Sequence, residues 1–160
     1  MRVGAYACGR PYGASIHRIE GSKGARMKHR ILVVEDDPDY GEFLKFWLES
    51  EGHEAIVAQT LEDGFVAVAT EPLPSVVLLD MNLGKQNGLT LAHWARRQKH
   101  LSHLAIAAIT GMGSFKDLKS IEEAGCDTCF VKPLDLGALR EYLTGLRIPS
   151  APAETPRLTR

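Results

Sequence analysis

Four short apolar runs in this chain each end in a polar or charged group. Glu35 and Asp36 follow Ile31-Leu32-Val33-Val34, and Asp80 follows Val76-Val77-Leu78-Leu79. Thr110 closes a run that begins at Ala105, and Lys132 closes one that begins at Thr128. One carboxylate after such a run is a helix cap, a solvated strand end or a reactive group. Three carboxylates brought together repel one another unless a cation neutralises them, and hard oxygen ligands suit Mg²⁺. A carboxylate can also attack phosphorus and form an acyl phosphate. Phosphoryl transfer asks mainly for charge neutralisation and in-line positioning. In such a set one carboxylate is the nucleophile and Mg²⁺ bridges carboxylate and phosphoryl oxygens. Lys132 pairs with the phosphoryl group as a point charge. Thr110 donates its hydroxyl to a phosphoryl oxygen, and Asn82 offers its backbone carbonyl to the metal.

The elements that position these groups can be read from period and punctuation. Short continuous apolar runs, rich in β-branched residues, read as strands buried on both faces. Pro38 and Asp39 open a helix whose stripe is Tyr40, Phe43, Leu44, Trp47 and Leu48, and Gly52 stops it. A short strand at 55–58 leads to Thr60 and Asp63, which resemble a capping box. That second helix runs to about Thr70, before Pro72 and Pro74. A third helix spans 89–98. Ser114 and Asp117 start a fourth, which ends at Gly125. Asp135 caps a fifth, with Leu136, Leu139, Leu143 and Leu146 on one face. Strand and helix alternate five times over residues 30–147. The expected fold is therefore α/β, a doubly wound five-stranded parallel sheet with right-handed crossovers. In the flavodoxin-like (βα)5 order 2-1-3-4-5, strands one and three are neighbours at the topological switch point. Ligands bind there, at the carboxyl ends of the strands.

Composition narrows the function. The chain has 160 residues, 44% of them hydrophobic and 24% charged, which suits one soluble domain with tails. No apolar run is long enough to span a bilayer. Residues 1–30 carry seven Lys/Arg and one acid, whereas the other 130 carry 12 bases and 19 acids. An acidic body argues against a nucleic-acid-binding core. Residues 1–29 hold five glycines without a structural period and read as a disordered basic extension. They lack the apolar core of a secretory signal, and Met27 offers an alternative translation start. Residues 148–160, with Pro149, Pro152 and Pro156, read as a disordered tail.

The motifs resemble those of two-component response-regulator receiver domains, single-domain and CheY-like, across residues 30–147. The residues that carry the likeness are Ile31 to Asp36, Leu78-Leu79-Asp80 with Gly88 beyond, Ile109-Thr110-Gly111 and Val131-Lys132-Pro133. The resemblance implies that Asp80 accepts a phosphoryl group from a phosphohistidine on a histidine kinase or phosphotransfer protein. It implies direct Mg²⁺ binding by Asp36 and Asp80, with Glu35 acting mainly through water. It also implies a Lys132–Pro133 peptide bond that is commonly cis. Such a protein is a cytoplasmic phosphorelay module whose only catalysis is its own phosphoryl transfer and dephosphorylation. With no output domain after the last helix, its output is expected through protein contact or phosphate shuttling. Two positions depart from the family pattern. Gly84 stands where proline is usual, four residues after the acceptor. Cys129 stands where an aromatic residue is usual, three before the lysine, which puts the threonine–aromatic switch in question.

Two rivals share parts of this chemistry. A haloacid-dehalogenase-like phosphatase also uses Asp, Mg²⁺, Thr and Lys, but it needs a second Asp where Asn82 stands. A flavodoxin-like FMN carrier would meet repulsion between its phosphate and the acids after strand one. Cys126 and Cys129 lack a second Cys/His pair for zinc. Trp47 and Trp94 are expected in the core. His53, His93, His100 and His103 are expected at the surface or its boundary, and Arg96-Arg97 with Lys99 at a solvated helix end.

Overall fold

The runs Ile31-Leu32-Val33-Val34 and Val76-Val77-Leu78-Leu79 have no polar side, and no residue in them is more than 1% exposed. Only a central position in a sheet covered on both faces hides such a run. In the computed structural model, which describes residues 6–7, 27–111 and 115–147, they lie within adjacent strands. The strands are β1 (Arg30–Val34), β2 (Glu54–Ala58), β3 (Val76–Asp80), β4 (Ala105–Thr110) and β5 (Thr128–Val131). They pair in parallel in the order 2-1-3-4-5, as expected. The helices are α1 (Pro38–Ser50), α2 (Leu61–Ala69), α3 (Leu89–Arg96), α4 (Phe115–Glu123) and α5 (Leu136–Gly145).

Alternation along each strand divides the core. Ile31, Val33 and Leu78 face Leu44 and Leu48 of α1 and Leu139 and Leu143 of α5. Leu32, Val34, Val77 and Leu79 face α2, α3 and Ile121 of α4. Caps fix where the helices begin. The Asp37 carboxylate accepts from the Asp39 and Tyr40 amides, Thr60 Oγ1 accepts from the Asp63 amide, and Asp135 accepts from the Ala138 amide. The expected Ser114 cap lies outside the described residues, as does the tail 148–160. Among the described residues, no helix is long and apolar enough to cross a membrane.

Several expectations need correction. Within the extension expected to be disordered, Tyr6–Ala7 forms a sixth, two-residue strand antiparallel to β5. His29, assigned to that extension, is buried. A carbonyl can only accept, so its Nε2 donates to the Leu143 carbonyl at 3.0 Å, while His53 Nδ1 accepts the His29 amide at 3.2 Å. Phe43 is 48% exposed, because α1 meets the sheet along Gly41, Leu44 and Leu48. Trp47 and Trp94 are half-buried rather than core residues. The Arg140 guanidinium lies over the Trp47 ring, and Trp94 meets Phe65 edge-on. Arg96 is not solvated. Its guanidinium fork donates to the Gly125 and Leu104 carbonyls and to Asp127, each within 2.9 Å. Three acceptors converging on one planar donor group draw it inward.

Candidate functional site

Register brings the polar strand ends to one edge. Val34 pairs with Leu79, Asp80 with Ile109, and Thr110 with Val131, so Glu35, Asp80, Thr110 and Lys132 emerge at neighbouring heights. Lys132 Nζ donates to Asp80 Oδ2 at 2.7 Å and to Glu35 Oε2 at 2.9 Å. Glu35 and Asp80 are 1% and 4% exposed, so the ammonium bridges two carboxylates that water hardly reaches. Asp36, next along the chain, is exposed. One carboxylate oxygen from each of Glu35, Asp36 and Asp80 lies within 4.8 Å of the others. This all-oxygen donor set, carrying excess negative charge, fits a hard divalent cation such as Mg²⁺.

Backbone donors fix the remaining oxygens. Asp80 Oδ1 accepts from the Asn82 amide at 2.8 Å, and Glu35 Oε1 accepts from the Asp37 amide at 3.2 Å. Asp36 Oδ2 accepts from the Gly84 amide at 2.8 Å. The Thr110 hydroxyl, beside the site at the end of β4, donates to the Gly111 carbonyl at 3.2 Å. The Lys132–Pro133 bond is cis. Cys129 is fully buried, on the face of β5 shared with α3 and α4, and its neighbour Phe130 faces α5 and meets Tyr142. Neither Cys126 nor Cys129 forms a disulfide.

Burial is the main reason the Glu35 carboxyl titrates above its ordinary value. Repulsion from Asp80 adds to it, and the Lys132 hydrogen bond opposes it. For Lys132, burial favours the neutral amine, but the hydrogen bonds and charges of Asp80 and Glu35 outweigh it and raise its pKa. The ammonium is thus held charged among carboxylates.

Three contributors escaped the sequence reading. The Tyr40 ring lies 4.8 Å from Lys132 Nζ and gives the ammonium an aromatic face. A Cβ on Gly88 would fall 1.9 Å from the Asp80 carbonyl oxygen, so the chain after the acceptor passes Asp80 only without a side chain. Gly84, a loop residue that departs from the usual proline, turns the two-residue strands Asn82–Leu83 and Gln86–Asn87 into a hairpin at φ +60°. The pair Gly84 and Gly88 was the visible signal of a tight loop. The contacts those glycines make were not visible.

The family model described as "Response regulator receiver domain" matches residues 31–144. The DNA-binding dual master transcriptional regulator RpaA of Synechocystis is 28% identical over 129 residues, 76% of this chain and 52% of that protein. This chain therefore spans about half the length of that relative. The polar-differentiation response regulator DivK of Brucella ovis is 24% identical over 110 residues, 69% of this chain and 89% of DivK. Among solved structures, a CheY-like receiver domain protein from Methanospirillum hungatei superposes with a TM-score of 0.65 at 27% identity. That match covers 73% of this chain and 94% of the other. The signal receiver domain of a DNA-binding response regulator from Colwellia psychrerythraea gives 0.67 at 25% identity, covering 72% and 95%. Receiver domains are two-component signalling modules rather than enzymes in the ordinary sense. With well over half of its length matched, this chain belongs to the response regulator receiver domain family.

Proposed function

We propose that Asp80 is the phosphoacceptor of a phosphorelay, charged in the presence of Mg²⁺ by the phosphohistidine of a histidine kinase or histidine phosphotransfer protein. One observation carries the reading: Glu35, Asp36 and Asp80 converge within 4.8 Å while the Lys132 ammonium bonds two of them. In the transfer, an Asp80 oxygen forms a bond to phosphorus as the phosphorus–nitrogen bond of the donor breaks. The imidazole leaves with the bonding pair and takes up a proton. Lys132, already 2.7 Å from Asp80 Oδ2, needs little movement to meet a phosphoryl oxygen. Thr110 exchanges its bond to the Gly111 carbonyl for one to the phosphoryl group. Bound Mg²⁺ supplies neutralisation of the charge on the transferring group. Asp36, Asp80 and the Asn82 carbonyl are the groups to hold it. Glu35 is already engaged by Lys132 and the Asp37 amide, which favours a role through water.

The unit that folds around this site runs from His29 to about residue 147. We assign it a cytoplasmic role, with output through protein contact or phosphate shuttling. The DNA binding in the name of RpaA belongs to that longer protein. The phosphatase alternative is not favoured, because Asn82 stands where that chemistry needs a second Asp.

The test is incubation with acetyl phosphate and Mg²⁺, read by intact mass. Wild type should gain one phosphoryl group and Asp80→Asn none. A gain that survives Asp80→Asn refutes the assignment. Mg²⁺ should also raise the melting temperature of wild type and do so far less in Asp36→Ala.

A further inference from the structure

We propose that Gly84 is a positioning residue of the cation site, acting through Asp36. Its amide donates to Asp36 Oδ2 at 2.8 Å. Asp36 is the exposed member of the acidic trio, whereas Glu35 and Asp80 are buried and held by Lys132. Among the described residues, the Gly84 amide is the hydrogen-bond donor shown to fix the Asp36 carboxylate. An exposed aspartate without such a donor samples several rotamers, and a cation must then order it on binding. Here Asp36 already keeps an oxygen within 4.8 Å of its two partners. A hydrogen-bonded carboxylate that ligates a metal is oriented in advance by that bond.

The sequence departure makes this contact possible. Proline, usual at this position in the resemblance drawn above, has no N–H to give and fixes φ near −65°. Gly84 has φ +60° and sits at the tip of the hairpin formed by Asn82–Leu83 and Gln86–Asn87. The hairpin is anchored on two other sides. The Asn82 amide holds Asp80 Oδ1, and Gln86 Nε2 donates to Glu62 Oε1 of α2 at 2.7 Å. The amide that meets Asp36 is therefore delivered by a braced turn.

The inference rests on the reading of Glu35, Asp36 and Asp80 as a Mg²⁺ site. Its test is calorimetric titration of the full chain with Mg²⁺, without any phosphodonor. Gly84→Pro should weaken Mg²⁺ binding by about tenfold or more, the usual scale for losing a group that orients a ligand. Gly84→Asn keeps the amide and tolerates positive φ. A Cβ there would lie 3.9 Å from Asp36 Oδ2, an ordinary contact. Gly84→Asn should therefore bind within about threefold of wild type, by the same reasoning. Equal affinity for wild type and Gly84→Pro overturns the role of Gly84 and leaves the site intact. No Mg²⁺ binding to wild type overturns the site and this inference with it. Should Gly84→Pro fail to fold, amide exchange in wild type and Asp36→Ala decides the matter. Protection of the Gly84 amide that vanishes in Asp36→Ala supports the role, and equal exchange rates overturn it.

Discussion

Replacing Lys132 with methionine keeps most of the side-chain volume and removes the charge that bridges Glu35 and Asp80. The two carboxylates then face each other with oxygens no more than 4.8 Å apart and little water between them. At an effective dielectric constant of about 20, that repulsion is about 3 kcal/mol. Breaking a buried pair by removing one partner costs about 3–5 kcal/mol. The Lys132 side chain is 32% exposed, so water replaces part of what it gave, and about 2 kcal/mol is expected. In a domain of this size that lowers the melting temperature by roughly 5–10 °C. The cost should also depend on pH. Glu35 already titrates above its ordinary value, and without the ammonium it should rise further. Between the unfolded and folded pKa values of such a carboxyl, the native state binds more protons than the unfolded state. Stability therefore increases as pH falls through that window. Urea denaturation of wild type and Lys132→Met at pH 7.5 and pH 5 measures both effects. The penalty should shrink at the lower pH, and in Lys132→Met/Glu35→Gln it should shrink at both. A penalty that is equal at the two pH values and unchanged by Glu35→Gln would refute the electrostatic account of the site.

Gly88→Ala should be severely destabilising, by more than about 2 kcal/mol, because its Cβ would collide with the Asp80 carbonyl and backbone cannot swing aside as a side chain can. Denaturation measures the loss, and acetyl phosphate labelling should fall with it; near-wild-type stability would show that the loop relaxes. His29 titrates below its ordinary value, chiefly through burial, with Arg147 adding to the shift and the Leu143 hydrogen bond opposing it. The unfolded state then binds more protons, so this contribution to stability is complete above the unfolded value of about 6.5 and is lost as pH falls below it. In His29→Gln the decline in melting temperature between pH 7 and pH 5 should be shallower than in wild type.

The fold was legible because its strands carry no polar side. Eight consecutive-run residues in β1 and β3 left a doubly wound sheet as the arrangement able to hide them. The convergence of the candidate site's side chains was legible because each lies one or two steps beyond such a run, where the carboxyl edge of a parallel sheet must be. Contacts made by backbone groups were not legible. Nothing in the letters Gly84 and Gly88 says that one donates to Asp36 or that the other grazes Asp80, because both facts depend on how a loop returns. Arg96 was misread for a related reason. Its acceptors, the Leu104 and Gly125 carbonyls and Asp127, are brought together by the packing of α3 beside the start of β5. A charge at a helix end looks solvated until the neighbouring chain is known. Phe43 was misread because helical spacing gives a stripe but not its width, and the sheet covers only the Gly41–Leu44–Leu48 line.

The two departures from the family pattern bear on the same question, which is how occupancy of the site reaches the surface. A ring at position 129 can exchange exposed for buried area, and that exchange is worth a few kcal/mol of apolar surface, about 1.5–3 by area. Cys129 is fully buried and small, so it has little area to exchange. Phe130 cannot substitute for it, since alternation along β5 turns that ring to the opposite face, against Tyr142. The post-acceptor hairpin, by contrast, bonds directly to Asp80 through the Asn82 amide, to Asp36 through the Gly84 amide and to α2 through Gln86. Any change in charge at Asp80 or Asp36 alters bonds that the hairpin itself makes, whereas on the β5 side the bond to Asp80 comes from Lys132, just past the end of the strand and three residues beyond Cys129. The larger response is expected at residues 82–87 and the first turn of α2, and a muted one along β5. Backbone amide shifts on adding beryllofluoride with Mg²⁺ compare the two directly. Shifts along β5 as large as those in the hairpin would show that the strand responds without its aromatic residue.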